Sequence, residues 1–239
     1  MTAAAGGSRR PSRRTAALIG VGGAILSGVG DVLLLGRSAS GRDFDRAEGM
    51  IPSHVDADRR WRSLWNGAEL SARRVHVGTV TGTVGIGVLQ WLSLHAIGGA
   101  TPPGPRRRLA TASAAAFAVS GVLTHVCCGT VIQAYRREAS LEPTDASRPS
   151  PRSVTPLLAA SAVGMFGALA LFSGNLTIEA LRRDPPASRW ALVTPLPCVL
   201  STLLGFGLLP APVAGYLRPA SMSIGLLLYF AVTAASADS

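Results

Sequence analysis

The chain has 239 residues, 48% hydrophobic and 15% charged, with its apolar residues gathered in long blocks; this places it among integral membrane proteins and excludes an ordinary water-soluble domain. Its net charge of +10 does not point to nucleic acid, because the arginines stand in short groups at block ends with no aromatic-interleaved basic surface. All 23 basic residues are arginine, which we read as the coding bias of a high-GC bacterium.

Six blocks are long enough, at about 20 residues each, to cross a hydrocarbon core: 16–36, 77–100, 109–135, 155–181, 190–209 and 217–236. The expected fold is an all-α, polytopic transmembrane helix bundle in a bacterial plasma membrane. It has a basic tail over 1–15, one bundle domain over 16–236 and a short tail over 237–239. The opening "RRPSRRTAALIG" has the charge of a secretory or twin-arginine signal. Its apolar run is too long, it lacks an A-x-A site and five further spans follow, so it reads as an uncleaved first helix.

In the first span Gly20, Ala24, Ser27 and Asp31 recur at spacings of four, three and four, which lines them on one face. Small residues let helices approach closely, so Asp31 is expected to point into the bundle. A charged aspartate inside a span costs about 2.5 to 3.5 kcal/mol on insertion scales and commonly marks function. Its place near the span's end leaves an interfacial role open.

The connection over 37–76 is the longest, with eight arginines and six acids. Within it, "RRWRSLWNGAELSARR" puts Trp61, Leu64, Trp65 and Ala68 on one face, as in an amphipathic helix lying in the headgroup layer. The second span continues a polar line of Glu69, Arg73, His76, Thr83, Gly87 and Gln90, with Trp91 adjacent; Gly78 and Gly82 form a GxxxG motif on another face.

The third span carries Gly121, His125, Gly129 and Gln133 at intervals of four, and the Pro- and Ser-rich stretch 136–154 reads as a linker. The fourth places Asn175 and Glu179 four apart, with Phe172 beside them and Arg182 and Arg183 close enough to make Glu179 a surface ion pair instead. Pro195 and Pro197 interrupt the fifth block; Pro210, Pro212 and Pro219 separate it from the sixth. The polar lines of the first four spans are expected to converge on one interior cavity.

Cys127, Cys128 and Cys198 lie inside spans as small hydrophobes and suggest no disulfide. His125 and Cys128 are three apart, without the repeated Cys/His spacing of a metal site, so no metal and no cofactor is expected. An inside N-terminus puts ten arginines on the inner side and thirteen on the outer. The tail and "PPGPRRR" carry arginine without acids, and on that basis we favour N-inside.

The stretches "GDVLLLG", "LTHVCCGTVIQAYRR" and "LPAPVAGYLRPASMSIGLLLYFAVTAA" resemble an uncharacterised family of small six-span bacterial membrane proteins, a likeness that implies a helical bundle and no chemistry. "GDVLLL" alone is similar to lysoplasmalogenase-like membrane hydrolases, whose later glycine and histidine pattern is not followed here.

Two chemical readings and one without chemistry follow. In the first, the protein is a metal-independent membrane enzyme acting on a lipophilic isoprenoid substrate, similar in build to small integral-membrane terpene cyclases. Asp31 is then the acid, Glu179 and His125 assist or act as base, and Asn175, Gln90, Trp91 and Phe172 contact substrate. In the second, Asp31 and Glu179 carry protons in a coupled transporter. In the third, an accessory membrane protein, the polar residues only join helices.

Overall fold

The computed structural model describes residues 11–36, 64, 67, 70–139, 150–182, 193–209 and 217–238. Among the described residues six helices fall on the six apolar blocks: α1 Arg13–Leu35, α2 Ala72–Gly99, α3 Pro105–Ala139, α4 Pro151–Leu181, α5 Pro195–Gly207 and α6 Ser221–Ala235. A single 3-10 turn, Ser236–Asp238, follows α6, and the described residues contain no strand.

Local chemistry explains where the helices begin. Ser12 accepts from the Thr15 N–H at 3.1 Å and Ser71 from the Arg74 N–H at 3.2 Å, so α1 and α2 start earlier than their apolar blocks. Ser150 caps α4 in the same way. Pro105, Pro151 and Pro195 open their helices, where a missing N–H leaves nothing unpaired. Pro195 therefore starts the fifth helix; the interruption expected inside it is its beginning.

The second helix departs from a uniform α period. Residues Gly85–Gln90 form a π turn, which widens the helix and rotates everything beyond it relative to an α phase. The polar line expected from Glu69 to Gln90 is broken by this turn. Arg73 and His76 are exposed, whereas Gly78, Gly82, Gly85, Ile86 and Gln90 are buried. The GxxxG pair lies on the packed face itself.

Of the amphipathic helix expected within 37–76, Trp61, Trp65 and Ala68 lie outside the described residues. Leu64 and Leu70 are buried in an apolar cluster with Val131, Ile132 and Tyr135 of α3.

Helix α1 packs on α2 and α6, α2 on α3, α3 along α4, and α5 on α6. Two apolar clusters result, one around Phe117, Phe172 and Phe230, the other around Leu34, Ile132 and Leu158. The outer surface is apolar as well: Leu18, Ile25 and Val29 on α1, and Val77, Val80, Val84 and Val88 on α2, are exposed at helical spacing. In water such stripes would aggregate; in lipid they are the solvated face. Helices α1 to α4 are long and apolar enough to cross a membrane. With 13 and 15 residues, α5 and α6 extend about 20 and 22 Å, short of a core of about 30 Å.

Alternating directions define two faces. One gathers Arg13, Ala100, Thr101, Ala180 and Val193 and is called the Arg13 face. The other holds the end of α1 and the start of α2, where the Arg74 guanidinium donates through Nε to the Leu33 carbonyl (3.1 Å) and through Nη2 to the Val32 carbonyl (3.3 Å). The Val32 carbonyl also accepts from the Gly36 N–H at 2.9 Å, and a cation at this helix end suits the helix dipole. Arg74→Ala is expected to lower stability in detergent by about 1 kcal/mol, the group being only partly buried. Arg73→Ala, at an exposed neighbour, should change unfolding little, and equal effects from the two would refute the capping role.

Candidate functional site

Between the two apolar clusters lies a chain of polar side chains contributed by four helices. Asp31 on α1 meets His125 on α3, with His125 Nε2 2.9 Å from Asp31 Oδ1. Ser223 on α6 donates to the other carboxylate oxygen, Oδ2, at 2.7 Å. The Oγ atoms of Ser223 and Ser27 are 2.9 Å apart, and Gln90 Nε2, at the end of the π turn, donates to Ser27 Oγ at 2.7 Å.

Donor bookkeeping places protons along this chain. The Ser223 hydroxyl spends its one proton on Asp31, Gln90 donates to Ser27, and the single Ser27 proton has two acceptors in reach, Ser223 Oγ at 2.9 Å and the Ala24 carbonyl at 3.2 Å.

The imidazole is constrained equally. Its Nδ1 lies 3.1 Å from the Gly121 carbonyl, which can only accept, so Nδ1 carries a proton whichever state the ring adopts. One further proton then lies between Nε2 and Oδ1. The pair is either imidazolium with carboxylate or neutral imidazole with carboxylic acid, and in both states its net charge is zero.

Glycine makes room for this meeting. A Cβ on Gly82 would overlap the imidazole of His125, and one on Gly30 would stand 2.5 Å from the Gly82 nitrogen. α1 and α2 touch backbone to backbone where the ring rests, which is what the small-residue stripes of both helices accomplish. His125 is 6% exposed and Gln90 fully buried, so the pair stands inside the bundle.

The structure brings together Asp31, His125 and Gln90 of the residues singled out from sequence. It places the others elsewhere. Glu179 pairs with Arg106 at 3.5 Å, and Asn175 donates to the Arg106 carbonyl at 3.1 Å, both near the start of α3. Arg106 and His125 share that helix and are roughly 28 Å apart at 1.5 Å per residue. One convergence of all four polar lines is thus replaced by two separate groups. Phe172 is fully buried in the apolar cluster, and Trp91 lies against His95 on a half-exposed face, ring centroids 5.6 Å apart.

Two contributors were not anticipated. Ser223 sits in a span whose polar residues drew no attention, because helical serines so often satisfy themselves on a preceding carbonyl. Gly82 was legible as a packing glycine but not as the seat of a histidine.

A cavity of about 260 Å³ opens on the Arg13 face, lined by Arg13, Ile97, Thr101, Leu176, Glu179 and Tyr229 among others. The described residues hold no cluster of three or more metal-ligating side chains.

Set against known proteins, the chain matches over residues 11–238 a family model described as "Family of unknown function (DUF6796)". No curated protein and no solved structure matches it.

Proposed function

We propose that this chain, which belongs to the DUF6796 family of unknown function, is a proton-coupled carrier of a small solute, with Asp31 and His125 as its proton-binding pair. The observation that carries this reading is the 2.9 Å contact between His125 Nε2 and Asp31 Oδ1 with Nδ1 committed to the Gly121 carbonyl. Such a pair holds one exchangeable proton at no net charge, so it can rest in a membrane and still titrate. Loss of that proton leaves a net negative site, a change large enough to bias helix packing.

Acid-initiated cyclisation of an isoprenoid stands second. It needs an acid facing a substrate-sized space and a base within reach of the same substrate. Both Asp31 oxygens are instead engaged by His125 and Ser223, while Glu179 and the cavity lie toward the Arg13 face.

The test uses vesicles containing the purified protein and the trapped pH dye pyranine, with an imposed pH gradient. Adding a small-molecule extract of the producing cells is expected to accelerate proton movement at least tenfold over protein-free vesicles. Asp31→Asn should abolish the acceleration. An unchanged rate in Asp31→Asn, or no acceleration with the native protein, would remove the carrier reading.

A further inference from the structure

The pair and the cavity are separated along the bundle, yet the residues between them form continuous polar and small-residue lines. On α1, Arg13, Ala17, Gly20, Ala24, Ser27 and Asp31 follow one face. Gln90 at the end of the π turn, Ser93 and Ile97 on α2 and Thr101 just past its end continue in the same way, all buried. The first of these touches Ser27, and the last two line the cavity.

Between those ends stand buried polar atoms with no partner. Gln90 uses its Nε2 on Ser27, but its Oε1 has no hydrogen bond among the described residues, and neither has Ser93 Oγ. Both residues are fully buried. Unpaired groups of this kind are costly unless water meets them. Gln90 and Ser93 are three apart on one face, a separation of about 5 to 6 Å that one bridging water spans. From Ser93 to Ile97 and the cavity wall is one more turn, again about 6 Å. At the cavity wall the buried Tyr229 hydroxyl lies beside Thr233.

Gly20 sits beside this line. A Cβ there would approach both Ser93 Oγ and the Phe230 ring within 2.5 Å. The line is thus narrow, bounded by α1 on one side and Phe230 on another.

We infer that water enters the bundle from the Arg13 face, through the cavity and past Ser93 to Gln90, and gives the Asp31–His125 pair its proton access from that face. The inference rests on the pair being a proton site, as proposed above, and adds the face from which it is reached. The water would end at Gln90, which Ser27 and Ser223 link to the carboxylate.

Accessible cysteines test it. In a background with Cys127, Cys128 and Cys198 replaced by alanine, Ser93→Cys is exposed to silver ion in sealed vesicles of both orientations, and unreacted thiol is then counted with a maleimide. Thr101→Cys, on the cavity wall, reports with the trimethylammonium-ethyl methanethiosulfonate cation. Silver is expected to reach Ser93→Cys at least tenfold faster from the Arg13 face, the face from which Thr101→Cys reacts. Faster entry from the Arg74 face, or no reaction at Ser93→Cys while Thr101→Cys reacts, would overturn the path.

Should the cysteine-free background not fold, magnetisation transfer from water to side chains in solid-state NMR serves on the native sequence. Transfer to Ser93 and Gln90 supports the path, and its failure rejects it. The two proposals separate cleanly: proton movement without silver access rejects the path alone, and silver access without proton movement supports the path while rejecting the carrier.

Discussion

Gly30→Ala is expected to cost about 3 kcal/mol of stability, the upper part of the range for overpacking. The added methyl would stand 2.5 Å from the Gly82 nitrogen, 2.7 Å from its Cα and 2.8 Å from the Gly78 carbonyl. All three are backbone atoms of α2, so no side chain can rotate out of the way; the helices must separate. Separation of α1 from α2 also pulls Asp31 from His125, since the ring rests on Gly82. Gly22→Ala on the same helix meets nothing within 4 Å and should be neutral or stabilising by up to about 1 kcal/mol through helix propensity. Denaturant unfolding of both variants in detergent checks the pair. If Gly30→Ala matches Gly22→Ala, the close approach of α1 and α2 is wrong.

That contrast shows what the sequence could and could not disclose. The stripe Gly20, Ala24, Ser27 and Asp31 was readable because α1 is a regular α helix from end to end, so its period survives translation into a buried face. α2 was readable in extent but not in facing, since a π turn has no compositional signature and shifts every residue beyond it. Gln90 reaches Ser27 from the last position of that turn, which a count by fours from His76 passes by.

Likewise, His125 could be suspected from its place in a span, whereas its partner depended on which helices are neighbours, a fact no single span contains. Glu179 was open to two readings, ion pair or catalytic group. Among the described residues its ion pair joins Arg106, on another helix.

His125→Leu is expected to destabilise the bundle by about 3 to 5 kcal/mol, the usual consequence of leaving one member of a buried ion pair uncompensated. The double variant, Asp31→Leu with His125→Leu, should lie within about 1 kcal/mol of the native chain, because two apolar side chains remove the unmatched charge together with its partner. Asp31 and His125 are well shielded, at 13% and 7% side-chain exposure, so desolvation weighs heavily on each single variant. Ser223 loses an acceptor in the double variant but remains within reach of Ser27, which limits the residual penalty.

The cycle of native, two single and one double variant, followed by unfolding in detergent, gives the coupling between the two residues. A coupling near zero would mean that the 2.9 Å contact contributes nothing and that the residues act separately. A large coupling with full proton movement retained in the double variant would make the pair a structural fastening. Recovery of stability without recovery of proton movement is the outcome expected of a proton site. It separates holding helices together from carrying a proton, because apolar packing can replace the first role and no leucine can perform the second.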